Sequence, residues 1–313
     1  MSNKVIYEPN QYAKIGFFKT MLVVIKNTVA SKELILQLYK RDFLMQYKKS
    51  FLGLGWMIFG PIMGIVSWVL MDSAGVLSPG DVGVPYPVYV LFGTSIWGLF
   101  MSFFASSSQT LQIAAGFIQQ VNFHHEALLF KQGLQNLTNF GISLIINVIV
   151  MLSFGVVPSW YIVLMPLLII PIFFLAASAG LIISILSTLT SDVSRIASFF
   201  LSLLMFITPV IYDSSEKVVW LQQCNLYNPL TYLITGPRDL VLTGMMSNPE
   251  YYLLSIFMAT AFFMIALRFF YISEKKVIEC RNYLDEKMKI SDDPIYGINT
   301  GFGSLCNHKI FLL

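Results

Sequence analysis

From Gln132 to Ser191 the chain runs for sixty residues without a charged side chain. A helix needs about 20 apolar residues to cross a ~30 Å hydrocarbon layer. Sixty are too many for one crossing and suit two, with the turn at Pro158 and Ser159. A second uncharged stretch, Ser50 to Met71, follows directly on a run that contains Lys40, Arg41, Lys48 and Lys49. Basic residues beside a span stay on the cytoplasmic side, so the chain enters the membrane from there. Only 12% of residues are charged, against about 25% in soluble domains. The fold class is all-α integral membrane. The net charge of +3 is too small to argue for nucleic acid.

Charges and turn residues divide the chain further. Spans are expected at Ser50–Met71, from about Tyr89 to about Leu111, twice within Gln132–Ser191, from about Ile196 to about Tyr212, and from about Tyr251 to Ile272. The loop from Asp72 to Tyr86 has Gly and Pro but no Lys or Arg, which suits the outer side. Pro166 and Pro171 fall inside the fourth span, where neighbouring helices can satisfy the freed carbonyls. Asp192 and Arg195 read as a short cytoplasmic turn. The stretch from Lys217 to Glu250 is too polar and too broken for a lipid-facing helix, with Gln222, Gln223, Asn225, Asn228, Pro229 and Pro237. It reads as a re-entrant helical hairpin, with a plain external loop as the alternative. Six transmembrane helices put both termini on one side, and the Lys-rich N-terminal segment makes it the cytoplasmic one.

Ser31 to Leu44 reads as an amphipathic helix at the membrane interface. Leu34, Ile35, Leu38 and Tyr39 recur at helical spacing, and Lys32, Lys40 and Arg41 can reach headgroups. Three regions result: a cytoplasmic segment 1–49 with this interface helix, a six-span domain 50–273, and a cytoplasmic tail 274–313. No cleavable leader pattern precedes them.

The chemistry is sparse. Cys224, Cys280 and Cys306 show neither metal spacing nor a disulfide framework. There is no phosphate-cradling loop ending in Gly-Lys-Ser/Thr, and no nucleophile–base set. If the chain moves a solute with ATP, another chain hydrolyses it. The spans are almost free of acidic residues, which argues against ion coupling. In His124-His125-Glu126 two adjacent imidazoles point in different directions on a helix, which favours a solvated interface patch over a metal or proton site. Gly60 and Gly64 form a GxxxG pattern, open to packing within one subunit or between two. Aromatic residues including Trp56, Tyr89, Trp97, Tyr212 and Tyr227 serve either interfacial belts or sugar stacking. Arg238-Asp239 reads as an exposed ion pair or as a positive group near an exit.

Two blocks carry a family resemblance. Arg41-Asp42-Phe43, Tyr47-Lys48, Leu52-Gly53-Leu54-Gly55-Trp56 and Gly60-Pro61 form the first. Pro209-Val210-Ile211-Tyr212, Tyr227-Asn228-Pro229-Leu230 and Arg238-Asp239 form the second. Together they resemble permeases of type-two ABC polysaccharide exporters, which move O-antigen, capsule and teichoic-acid chains. The resemblance spans residues 30 to 273. It implies a homodimer with a separate nucleotide-binding subunit, ATP and Mg on that partner, no cofactor on this chain, and a lipid-linked glycan as substrate in the bacterial inner membrane. It assigns Ala114–Phe130 as the coupling helix on the ATPase, here with Gln119, Gln120, Val121, Asn122, Phe123, His124, His125 and Glu126. The two His depart from the family's Phe-Pro-Arg-Glu-like run. Arg41, Asp42, Tyr47 and Lys48 become the interface helix and gate. Trp56, Tyr89, Trp97, Tyr212, Tyr227, Asn228 and Arg238 become candidates for the substrate path.

The tail reads differently. Pro294-Ile295-Tyr296-Gly297-Ile298-Asn299-Thr300-Gly301 resembles the N-terminal motif of histidine and aromatic amino-acid ammonia-lyases, in which the Tyr, here Tyr296, belongs to the active site. That family's electrophile-forming Ala-Ser-Gly is missing. A fusion remnant beginning near Lys275 is expected, with Ser291–Leu313 poorly ordered. The expected function is therefore a transport subunit, not an enzyme, that exports a lipid-linked polysaccharide. The alternatives are an exporter of drugs or small lipids on the same fold, and a membrane-embedded glycosyl- or acyltransferase.

Overall fold

A computed structural model describes residues 16–48, 51, 55–75, 82–117, 126–188, 190, 192–213 and 219–290. The chain divides into a body, 16–271, and a second unit formed by 1–15 and 272–313. Of the second unit only 272–290 is described, and it is helical. The lyase-like segment with Tyr296 lies outside the described residues, as does the order expected of 291–313.

Among the described residues the secondary structure is helical, with no strand. The helices are α1 (Phe17–Ala30), α2 (Lys32–Lys48), α3 (Trp56–Ser73), α4 (Tyr86–Ser108), α5 (Thr110–Phe117) and α6 (Glu126–Ser153). After a 3₁₀ turn at Trp160–Leu164 come α7 (Met165–Leu168), α8 (Ile170–Ser187), α9 (Asp192–Ile207), α10 (Val219–Tyr227), α11 (Pro229–Leu242) and α12 (Pro249–Ile290). Four stretches are long and apolar enough to cross a membrane: Tyr86–Ser108, Glu126–Ser153, Trp160–Ser187 and Pro249–Ser273. The other two that six spans require are shorter, α3 with 18 residues and α9 with 16.

The predicted hairpin turn falls where expected. Gly155 adopts φ 75° after α6, a left-handed position that glycine takes without steric cost. Gly155 and Val156 N–H groups close on the Leu152 and Met151 carbonyls at 3.1 and 2.9 Å, satisfying the helix end. Pro166 and Pro171 each sit in the first turn of a new helix, and the break at Ile169 separates them. There a missing N–H costs nothing.

Other boundaries differ from the sequence reading. Asp192 and Arg195 form the first turn of α9, bridged at 3.6 Å, rather than a separate turn. The helix stops at Ile207, short of Tyr212, because Thr208 precedes Pro209 and that position disfavours helix. The last helix does not end at Ile272 but continues to Ile290. The N-terminal segment has a helix the hydropathy pattern did not reveal, α1, joined to α2 through Ser31 alone. Arg268 on α12 places its guanidinium 5.8 Å from the Phe17 ring on α1.

The core is α4 packed against α8 on one side and α6 on the other. Phe92, Ile96, Phe100 and Phe104 follow a helical stripe on α4 and are fully buried. Small residues let α8 come close. A Cβ on Gly180 would lie 2.5 Å from the Ser107 Cβ. Between α4 and α6 the contacts are polar: Asn147 Nδ2 donates to Ser95 Oγ at 3.0 Å and Asn136 Nδ2 to Ser106 Oγ at 3.2 Å. Thr110 on α5 donates to Gln132 Oε1 at 3.0 Å. In a lipid-facing bundle such pairs select which helix faces meet.

Candidate functional site

Two polar clusters stand out, one at the start of α6 and one at the start of α4. The first lies where α1 and α2 dock on α6. Lys131 on α6 and Arg41 on α2 each place a nitrogen 2.8 Å from an Asp42 oxygen. Burial pushes the Asp42 carboxyl up, but the hydrogen bonds and charges of Lys131 and Arg41 outweigh it and hold the group below its ordinary range. Tyr39 and Thr138 hydroxyls meet at 3.0 Å. Asn27 Nδ2 donates to Glu126 Oε1 at 3.5 Å. Glu126 opens α6, where a carboxylate suits the positive end of the helix dipole.

The sequence placed Arg41, Asp42, Tyr47 and Lys48 together as a gate. The structure brings Asp42 onto Lys131 of α6 with Arg41 paired to it on α2, while Lys48 is exposed at the end of α2 and the Tyr47 side chain lies outside the described residues. Of the coupling set, Gln119 to His125 lie outside the described residues. Glu126 is fully buried, so the solvated patch expected for it is corrected at that position.

The second cluster lies where α4 begins and α9 ends. Beyond Ile207 the backbone leaves the helix, and its carbonyls need new donors. Side chains from other helices supply them. Arg238 Nη1 donates to the Pro209 carbonyl at 3.0 Å and lies 3.4 Å from that of Val210. Tyr86 and Tyr89 hydroxyls donate to the Ile211 and Tyr212 carbonyls at 2.9 and 3.0 Å. Asn228 Nδ2 donates to Thr208 Oγ1 at 3.0 Å. The Tyr212 hydroxyl donates to the Ile207 carbonyl and accepts from Asn225 Nδ2, the latter at 3.3 Å. The Arg238 guanidinium lies 3.8 Å from the Tyr89 ring centre, a cation–π contact strengthened by burial.

Local sequence builds each part of this clasp. Asn228 caps α11 by accepting from the Leu230 N–H at 3.0 Å, and Pro229 occupies the first turn. Gly93 lets the Val210 carbonyl lie against α4; a Cβ there would meet that oxygen at 2.3 Å. Asp239 Oδ1 takes the Arg238 Nε at 3.3 Å and Oδ2 the Ser247 hydroxyl at 2.6 Å. The Ser159 N–H, beyond α6, donates to the Val241 carbonyl of α11 at 2.9 Å.

Tyr212, Asn228 and Arg238 of the second motif block thus meet in one structure, joined by Tyr89 of α4. Arg238 is only 2% exposed, which corrects the exposed ion-pair reading: its guanidinium faces carbonyls and a ring of its own chain. Trp97 is buried elsewhere on α4 beside Phe100. Trp56 stands exposed on α3, edge-on to Phe59 at 5.4 Å, and Tyr227 is exposed on α10. Sequence reasoning missed Tyr86 as a structural donor, Gly93 and Thr208. The signal was present, since a helix ending before Pro209 leaves carbonyls for which distant hydroxyls are the natural donors.

The fold and its two clusters define a polytopic helical membrane protein with a buried cationic clasp. Residues 33–242 match the family model for the ABC-2 type transporter. The chain belongs to that family. It is also similar to proteins called O-antigen export system permease protein RfbA. One from Myxococcus xanthus is 23% identical over 223 residues, 69% of this chain and 83% of the relative. Two from Klebsiella pneumoniae are 25% and 24% identical, over 76% and 79% of this chain and 85% and 89% of theirs.

Proposed function

We propose that this chain is the permease subunit of an ABC transporter that exports O-antigen or a closely similar lipid-linked polysaccharide. The observation that carries it is the family match over residues 33–242, joined to similarity with O-antigen export permeases along most of their length. The sequence has no Gly-Lys-Ser/Thr phosphate loop of its own, so ATP and Mg belong to a nucleotide-binding partner. This chain contributes the passage.

The finer parts of the reading follow the same logic. Six spans, with α3 and α9 as the short first and fifth, place both termini in the cytoplasm of a bacterium whose inner membrane holds the protein. The paired helices α10 and α11, broken at Asn228, act as the re-entrant hairpin at the outer face. Residues Ala114–Phe130 meet the ATPase. A homodimer is supported by exposed apolar faces: Ile196, Phe199, Phe200, Leu203 and Phe206 on α9, and Phe59, Ile62, Met63 and Val66 on α3. Gly60 and Gly64 have open space where a Cβ would stand, which supports a role between subunits. Membrane lipids cover what remains.

Deletion of the gene tests the function. Loss of surface polysaccharide, with lipid-linked glycan accumulating inside, is the expected result. A deletion strain without a second copy that keeps its surface glycan would refute the reading. Accumulation of a drug or a small lipid in its place would favour the smaller-substrate exporter, and a transferase activity of the purified chain would favour the enzyme.

A further inference from the structure

Between α10, α11 and the start of α12 lies a cleft in two adjoining parts, of about 310 and 230 Å³. Leu226 and Tyr232 line both. The larger part has aromatic faces. Tyr232 and Tyr251 stack with centres 5.0 Å apart and planes 16° apart, and Tyr227 stands exposed at the edge. The smaller part is lined by amides and hydroxyls: Gln222, Asn225, Thr231, Thr235 and Asn248. Among the described residues, none that lines either part is charged.

Two of the polar residues carry capacity that the protein does not use. Asn225 is 5% exposed and Thr231 3% exposed. Asn225 Oδ1 and Thr231 Oγ1 are both buried with no hydrogen-bond partner. A buried polar atom without a partner costs stability unless something fills the need. Asn225 Nδ2 is held by the Tyr212 hydroxyl at 3.3 Å, which fixes the amide and leaves Oδ1 for another donor. Thr231 and Thr235 lie four residues apart on α11, one helical turn on the same face.

We infer that this cleft binds one uncharged sugar unit of the exported glycan. A pyranose ring offers hydroxyl groups around its rim and C–H bonds on its faces. The rim suits neutral amide and hydroxyl acceptors; the faces suit tyrosine rings. A charged unit would lose hydration with no counter-charge among the described lining residues. A lipid chain would leave Asn225 and Thr231 unsatisfied. The assignment rests on the export reading above and adds the place and the class of the unit held. The clasp connects it to α4 through Asn225, Tyr212 and Tyr89.

The experiment uses the full chain in lipid nanodiscs and ligand-observed saturation-transfer NMR. The probe is neutral oligosaccharide cut from the delipidated surface polysaccharide of the strain that carries the gene; oligogalacturonate is the anionic control. Transfer to sugar C–H protons from the neutral probe and none to the uronate is the expected result. Thr231→Val should raise the apparent Kd on the order of tenfold. It should leave the thermal midpoint unchanged or raise it by about 1–3 °C, because the valine removes an unpartnered buried hydroxyl. Tyr251→Ala should abolish the transfer. A structural role for Thr231 predicts the reverse pattern, a lower midpoint with unchanged affinity, and that result overturns the inference. So does absence of transfer from the neutral probe. Failure of the export reading shows separately, as a deletion strain that retains its surface glycan. Loss of glycan on deletion together with unaltered binding by Thr231→Val sinks the cleft alone.

Discussion

Gly93→Ala isolates the packing of the α4–α9 clasp. The added Cβ would stand 2.3 Å from the Val210 carbonyl oxygen and 3.2 Å from its carbon. Ordinary carbon–oxygen contact is about an ångström longer than the first of these distances. The obstacle is backbone, so no side-chain rotation relieves it. Val210 must retreat from α4, and the Pro209 and Val210 carbonyls move with it away from Arg238. Overpacking of this kind costs about 1–3 kcal/mol. Loosening of a charge-assisted hydrogen bond adds about 1.5 kcal/mol. Helix propensity returns about 1 kcal/mol, because alanine is the better helix former. The net loss is about 1.5–3.5 kcal/mol, or roughly 3–10 °C in thermal midpoint. The control lies five residues on: Gly98→Ala meets nothing within 4 Å and should hold or raise the midpoint. Tryptophan fluorescence of the purified protein in nanodiscs reads both. Equal midpoints for the two variants would refute the close approach of Val210 to α4.

The remaining expectations concern the clasp and the start of α6. Arg238→Met should destabilise by about 2–4 kcal/mol, since it strips donors from buried carbonyls and leaves Asp239 without its cation; Arg238→Lys should restore little of this, because an ammonium cannot span two carbonyls and lie flat on Tyr89. Denaturant titration measures both. Asp42 has a lowered pKa, so its contribution to docking α2 on α6 is fully present above its ordinary value of 3.8 and is lost as pH falls through the lower folded value. The stability gap between wild type and Asp42→Asn should stay level from about pH 7 to pH 5 and close below about pH 4; a gap that widens in acid would contradict the Lys131 and Arg41 pairing. Charge reversal or proline insertion within Val121–Glu126 should abolish glycan-stimulated ATP turnover of the assembled transporter while leaving membrane insertion normal, as read by turnover assay and membrane fractionation.

Hydropathy made four of the expected spans legible because leaving water is a property of each segment alone. The uncharged run Gln132–Ser191 gave its two crossings and its turn with only the chain's own residues. The choice of neighbours is different, since lipid tails and leucines are equally apolar and burial cannot tell one helix face from another. Here that choice is carried by pairs far apart in sequence, Ser95 with Asn147, Asn136 with Ser106, and Thr110 with Gln132. Each residue alone reads as a tolerated polar group in a span. The clasp was half legible for the same reason. The motif residues Tyr212, Asn228 and Arg238 could be named, and Tyr89 stood among the aromatic candidates, but the sequence left Arg238 open as an exposed charge. Its burial depends on the Pro209 and Val210 carbonyls, which lack helical donors because α9 stops before Pro209. A sequence shows that a helix will break there; only the fold shows that Tyr86, Tyr89 and Arg238 stand ready to receive what the break releases. Removing any one of those donors therefore leaves a carbonyl unpaired in the segment after α9 rather than on the mutated helix, and this is why stability and the cleft should fail together at Arg238 and separately at Thr231.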